Sequence, residues 1–281
     1  MPINLRILFS RLFIHSQFWV ALMAFSLTLL TLFELKSDSF LISVSVALIT
    51  WGGYAYIRSF NHSSSPNHHH YSALKWFYIP VAMVSLSIGV YWMYQMSNSL
   101  RIHVVSLSLP ALLVFLYPLQ FSRLSIRQLP GLKLTIICLC WVWLTTIIPS
   151  IFSKEVNFYP LFIMSLQRFL FLLVWTLPFD IRDVDNDTKL LKTIPQMMGI
   201  THTKRMLYVL IFILQVSYLL TAWIGNTHTA LAISYILALE VLVVLVYFSR
   251  KSVDRGYYSV LVESVPLLAL LFTVITALMM Y

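Results

Sequence analysis

Asp180, Asp183, Asp185 and Asp187 are four of only ten acidic residues in a 281-residue chain, and they fall within eight positions. Carboxylates this close repel one another, and near a bilayer they also lose hydration, so they call for a cation. Their oxygens suit Mg²⁺, which keeps several waters and shares one or two carboxylates with substrate phosphates. If the apolar helix before them continues past Pro178, as it does when proline opens a new turn, a step of about 100° per residue decides the geometry. Asp180, Asp183 and Asp187 then lie within about 60° of one another. Asp185 points nearly opposite and is left out. Arg182, Lys189 and Lys192 are interleaved with the acids and offer cations for phosphate oxygens. A solvated, charge-balanced loop whose aspartates merely start a helix fits the same spacing.

The elements that must position these residues are membrane spans. The chain is 59% hydrophobic and 10% charged, with a mean hydropathy of +0.83; soluble domains carry about 25% charged residues. Apolar stretches of spanning length recur at 17–33, 39–57, 74–94, 103–119, 132–150, 159–178, 205–224, 229–248 and 258–280. They show no strict alternation, which argues against barrel strands. The expected fold class is all-α, a polytopic transmembrane helical bundle of about nine spans forming one integral membrane domain over residues 1–281. The run from Phe18 to Phe33 has no small-residue cleavage site after it, so it reads as a retained first helix and not a signal peptide.

Of the 19 Lys and Arg residues, fifteen fall in the N-terminus and the even-numbered loops and three in the odd-numbered loops, with Arg168 inside the sixth span. This bias places the N-terminus in the cytoplasm and the C-terminus outside, in a cytoplasmic membrane. The net charge of +9 is therefore an inside bias facing the lipid bilayer, and not a nucleic-acid signal.

Two joints exceed what connection requires, Arg58–Ala73 and Phe179–Lys204, and both lie on the cytoplasmic side. The first carries His62 and His68-His69-His70, which read either as a polar loop or as a site for Zn²⁺, Ni²⁺ or Cu²⁺. Arg168, Glu240 and Glu263 are ionisable residues within spans, where charge is costly and faces a partner or a cavity. Arg168 could pair with Glu240 or sit near the outer half of a central cavity, and Glu263, near the cytoplasmic start of the last span, could face the site. Cys138 and Cys140, two residues apart on a helix, read as buried small hydrophobes.

The run Pro178-Phe179-Asp180-Ile181-Arg182-Asp183, followed by Asp187, then Lys192-Thr193-Ile194-Pro195 and Gly199, resembles the second aspartate motif of the UbiA superfamily of intramembrane prenyltransferases. That motif has the form DxxDxxxD, followed by a basic residue, Thr, Leu or Ile, and Pro. The resemblance implies nine transmembrane helices with the N-terminus inside and this motif between helices six and seven, where the spans independently put it. It implies transfer of an isoprenoid chain from a polyprenyl diphosphate to a hydrophobic, commonly aromatic, acceptor, with Mg²⁺ as cofactor. Carried over, Asp180, Asp183 and Asp187 would hold Mg²⁺-diphosphate, with Arg182, Lys189, Lys192, Arg58 and Lys75 on the phosphates. The family's first motif, of the NxxxDxxxD type, belongs between helices two and three. Here that joint has no acid, and Asn61 and Asn67 are the remaining oxygen ligands. A non-catalytic protein of the same bundle, serving as a lipid-binding or assembly partner, is the alternative from a different class.

Overall fold

Hydrocarbon offers the backbone no hydrogen-bond partner, so an apolar run that crosses a membrane must satisfy its own peptide groups as a helix. The structure, a computed structural model, describes residues 17–60, 68–96, 106–108, 110–112, 114, 132–153, 157–185, 192–225, 227–251 and 256–280. Helix α1 is Phe18–Glu34, α2 Phe40–Phe60 and α3 His68–Met96. Helix α4, Leu132–Val142, passes through a π turn, Trp143–Ile147, into α5, Ile148–Phe152. Then come α6 Phe158–Asp183, α7 Ile194–Trp223 and α8 Thr229–Phe248; a second π turn, Tyr257–Val262, leads into α9, Val265–Met280.

Among the described residues seven helical stretches are long and apolar enough to cross a membrane, and α1 is a shorter apolar helix. The protein is an all-α integral membrane bundle. The predicted fourth span, 103–119, lies mostly outside the described residues.

Helix ends depart from the expected ones where winding continues beyond the apolar run. Helix α3 has 29 residues, about 43 Å at 1.5 Å each, against a hydrocarbon core of about 30 Å. It begins at His68, so His68–His70 open a helix and do not belong to a loop. The joint shrinks to 61–67, which falls outside the described residues together with Asn61, His62 and Asn67. Helix α6 carries Pro178 inside it and ends at Asp183. Asp180 and Asp183 therefore share one helical face, and Asp187 lies outside the described residues. Helix α7 starts at Ile194 and breaks at Gly199, whose φ of 79° suits glycine.

Prolines connect the helices. Pro149 and Pro266 lack an N–H, which removes the donor four residues on from the Thr145 and Val262 carbonyls. Thr31 Oγ1 on α1 donates to the first at 2.7 Å, and the Trp175 indole on α6 donates to the second at 2.8 Å.

Helices α2 and α3 form a hairpin held by close approach of small residues, the packing lipid favours. A Cβ on Gly52 would lie 2.5 Å from Leu86 Cγ and 2.8 Å from Ser85 Oγ; one on Gly89 would lie 2.9 Å from Ile49 Cγ1. Gly52→Ala should accordingly cost about 1–3 kcal/mol, measured as a fall in thermal stability in detergent. An unchanged melting temperature would show that the hairpin is not packed this closely.

Candidate functional site

Three residues separate Asp180 from Asp183, which puts both on the same face of the last turn of α6. Asp180 is buried, at 8% exposure. Both oxygens of Asp183 accept from the Arg182 guanidinium, Nε at 2.8 Å and Nη2 at 2.7 Å, with side-chain exposures of 29% and 25%. Arg182 also lies over the rings of Phe179 at 5.3 Å and Tyr258 at 5.5 Å, so its position is set by a carboxylate and two aromatic faces.

Asp180, Asp183, Arg182 and Phe179 line a cavity of 280 Å³ at the end of the bundle where α2 stops and α4 begins. Arg58 from α2, Ser259 from the second π turn and Glu263 just after it face the same space. Arg182 and Arg58 both lie close enough to act on the Glu263 charge.

A second cavity, of 470 Å³, adjoins the first and shares Gln17, Tyr54, Arg58, Ile137 and Trp141 with it. Apart from a few polar groups its walls are apolar, contributed by α2, α3, α4 and the helical residues between 106 and 114. Aromatic rings stand at the boundary. The Trp141 indole donates to Tyr54 Oη at 3.2 Å, and its ring meets Trp175 edge-on at 5.4 Å between centroids. The arrangement is a charged chamber that opens into an apolar one, the shape of an amphiphile with a polar head.

Of the residues singled out from sequence, the structure brings Asp180, Asp183, Arg182 and Arg58 together at the chamber. Glu263, read as a charge within a span, joins them. Lys192 is exposed, precedes α7 with a φ of 42° and is not among the residues that line the chamber. Lys75 lies on α3, and its side chain is outside the described residues, as are Asp187, Lys189, Asn61 and Asn67. Asp185, left out of the set, pairs with Lys251 at 2.8 Å on the surface. Cys138 is buried and free, whereas Cys140 lines the apolar cavity.

Gln196, within the stretch 192–199, holds the joint's far end. Its side chain accepts from the Thr193 N–H at 3.1 Å and donates to the Val184 carbonyl at 3.1 Å, tying the start of α7 to the end of α6. Arg168 does not pair with Glu240, which accepts from Gln215 on the exposed surface. Arg168 is 3% exposed, donates to Thr31 Oγ1 at 3.0 Å and lies over Tyr235. The acid that feels its charge is Glu34, at the end of α1, which accepts from Thr227 at 2.9 Å.

No protein-family model matches the chain, and no curated protein sequence matches it. A solved structure does: a UbiA homolog from Archaeoglobus fulgidus, determined bound to GPP and Mg²⁺. It aligns with a TM-score of 0.65 over 95% of this chain and 98% of that one, at 11% identity. The chain has the UbiA fold.

Whether the residues on this UbiA frame fit Mg²⁺ follows from their donors. Among the described residues no three His, Cys, Asp or Glu gather closely enough to hold a metal by themselves. Arg182 already engages both Asp183 oxygens, and the 58–73 stretch contains no acid in its sequence. Mg²⁺ needs only one or two carboxylates when phosphate supplies further oxygens. The donor set thus fits a single Mg²⁺ arriving with a phosphate ligand, and does not fit a metal caged by protein alone.

Proposed function

We propose that the protein is an intramembrane prenyltransferase that moves an isoprenoid chain from a polyprenyl diphosphate to a hydrophobic, aromatic acceptor. The observation that carries this reading is the charged chamber of Asp180, Asp183, Arg182 and Arg58 opening into an apolar cavity through Tyr54 and Trp141, within a UbiA fold. The diphosphate takes the chamber and the chain takes the cavity. The whole chain acts as one membrane domain, oriented with the chamber at the cytoplasmic face of the cytoplasmic membrane, as the fifteen-to-three division of basic residues supports.

Asp180 and Asp183 hold the metal, with Asp187 completing the set. Arg58 and Arg182 bind phosphate oxygens at the chamber wall, and Lys75, Lys189 and Lys192, with the oxygens of Asn61 and Asn67, are the further diphosphate ligands that the sequence offers. Bound Mg²⁺ supplies electrostatic relief for the charge that gathers on the leaving diphosphate.

The C1–O bond breaks with its electron pair going to diphosphate, the acceptor bonds to C1, and the acceptor releases a proton. Trp141 and Trp175 present aromatic faces at the boundary where C1 lies, and such faces attract developing positive charge. The apolar walls exclude water that would otherwise capture it. Glu263, in the same chamber, takes the proton.

The test is binding of geranylgeranyl diphosphate to the purified protein in detergent, with Mg²⁺ and with EDTA, beside an Asp180→Asn/Asp183→Asn double variant. Mg²⁺-dependent binding that the double variant loses is the expected result. A folded protein that binds no chain length under either condition would overturn the catalytic reading and leave a lipid-binding or assembly role for the bundle.

A further inference from the structure

Three glycines lie where α2 meets α3, and they do two different things. Gly52 and Gly89 are packing positions, because a Cβ on either would fall within 3 Å of atoms on the other helix. Gly53 is not. A Cβ there would meet only Val114, at 3.7 Å, an ordinary contact, and Gly53 lines the apolar cavity. Its missing side chain leaves an opening in the cavity wall, one residue beyond Tyr54 at the boundary with the charged chamber.

We infer that Gly53 is a specificity-determining residue that admits isoprenoid chains longer than one five-carbon unit. This rests on the proposed binding of a polyprenyl diphosphate, and it adds which residue selects the chain. The register supports it. Arg58 lines both cavities and Gly53 lies five residues deeper on α2, about 7.5 Å along the helix axis. One isoprenoid unit, four carbon–carbon bonds of about 1.5 Å each in zigzag, advances about 5 Å. A dimethylallyl group whose diphosphate sits at Arg58 stops short of Gly53. The second unit of a geranyl chain reaches it, and farnesyl and geranylgeranyl chains must pass it.

The opening is also one that the fold does not require. The hairpin is closed by Gly52 and Gly89 on the other faces of the two helices, so a side chain at 53 is compatible with the packing. It would project into the space at the level of Thr50, Tyr54 and Cys140, which line the same cavity.

The experiment compares the wild-type protein with Gly53→Ala and Gly53→Leu. The probes are dimethylallyl, farnesyl and geranylgeranyl diphosphates with Mg²⁺, with thermal stability recorded for each variant. For Gly53→Leu we expect the farnesyl and geranylgeranyl affinities to fall at least about tenfold, the loss expected when two or more buried carbon groups are excluded. Dimethylallyl diphosphate should bind within about twofold of wild type, and Gly53→Ala should fall between the two proteins. A second readout is modification of Cys140, which lines the cavity. Geranylgeranyl diphosphate should protect it in wild type and fail to protect it in Gly53→Leu. Unchanged long-chain affinity in a folded Gly53→Leu would overturn the inference while leaving the proposed function standing, as would an equal loss for all three diphosphates. No binding of any probe by the wild type would instead overturn the function on which it rests.

Discussion

Asp183→Asn should abolish most of the difference between diphosphate binding in Mg²⁺ and in EDTA. The reason lies in the Arg182 pair. In the folded chain the Asp183 carboxylate takes two charge-assisted bonds from Arg182, and each charged hydrogen bond is worth about 1.5–3 kcal/mol. With the carboxylate neutralised, the oxygen proposed to coordinate Mg²⁺ is lost. The guanidinium is at the same time released toward the phosphates, so metal-free binding should strengthen as metal-dependent binding weakens. The ratio of the two dissociation constants should fall by about 10- to 100-fold. Asp185→Asn is the control. Its partner is Lys251, on the surface and well exposed, so the ratio should stay within about twofold. Equal losses from Asp183→Asn and Asp185→Asn would defeat the assignment of the chamber.

The largest effect on stability is expected at the other end of the bundle. Arg168 is almost wholly buried, gives a hydrogen bond to Thr31 and acts on Glu34. Arg168→Met removes the cation and leaves the Glu34 carboxylate with Thr227 as its hydrogen-bond donor. Leaving a carboxylate without its compensating charge inside a membrane costs up to about 2.5–3.5 kcal/mol, which lowers the melting temperature of a chain this size by roughly 5–14 °C. Arg168→Met combined with Glu34→Gln should recover at least half of that loss, because no uncompensated charge then remains. Thermal unfolding in detergent reads both variants. A single variant as stable as wild type would mean that Glu34 does not depend on Arg168.

How much of this was legible from sequence differs from one residue to another, for physical reasons. The spans were visible because a bilayer demands long apolar runs, and eight of the nine fall on described helices or helical stretches. Asp180 and Asp183, with Arg182 between them, stood out because acidic residues are rare in this chain and cluster only there. The end of α6 was not visible: spacing alone carries a helix on to Asp187, whereas the chain leaves the helix at Asp183. Tyr54, Trp141, Trp175 and Gly53 could not be picked out, since an aromatic residue or a glycine in an apolar run reads the same whether it faces lipid or a cavity. Glu34 was missed as the acid near Arg168 because the two lie on α1 and α6, far apart in sequence. Pro149 and Pro266 did carry a signal, the missing donor at a fixed distance from a carbonyl, but which side chain answers it depends on packing.

Those two carbonyls have a consequence for motion. Thr31 reaches the Thr145 carbonyl from α1, and Trp175 reaches the Val262 carbonyl from α6. Each bond fixes the rotational register of one helix against another. Turning either helix by a single residue, about 100°, would strand a bare carbonyl in hydrocarbon, at several kcal/mol. Transporters expose a central site to alternate sides by rocking one bundle against another, and a frame with this wiring resists such rocking. A frame wired in this way would keep its cavities in one shape while a ligand came and went.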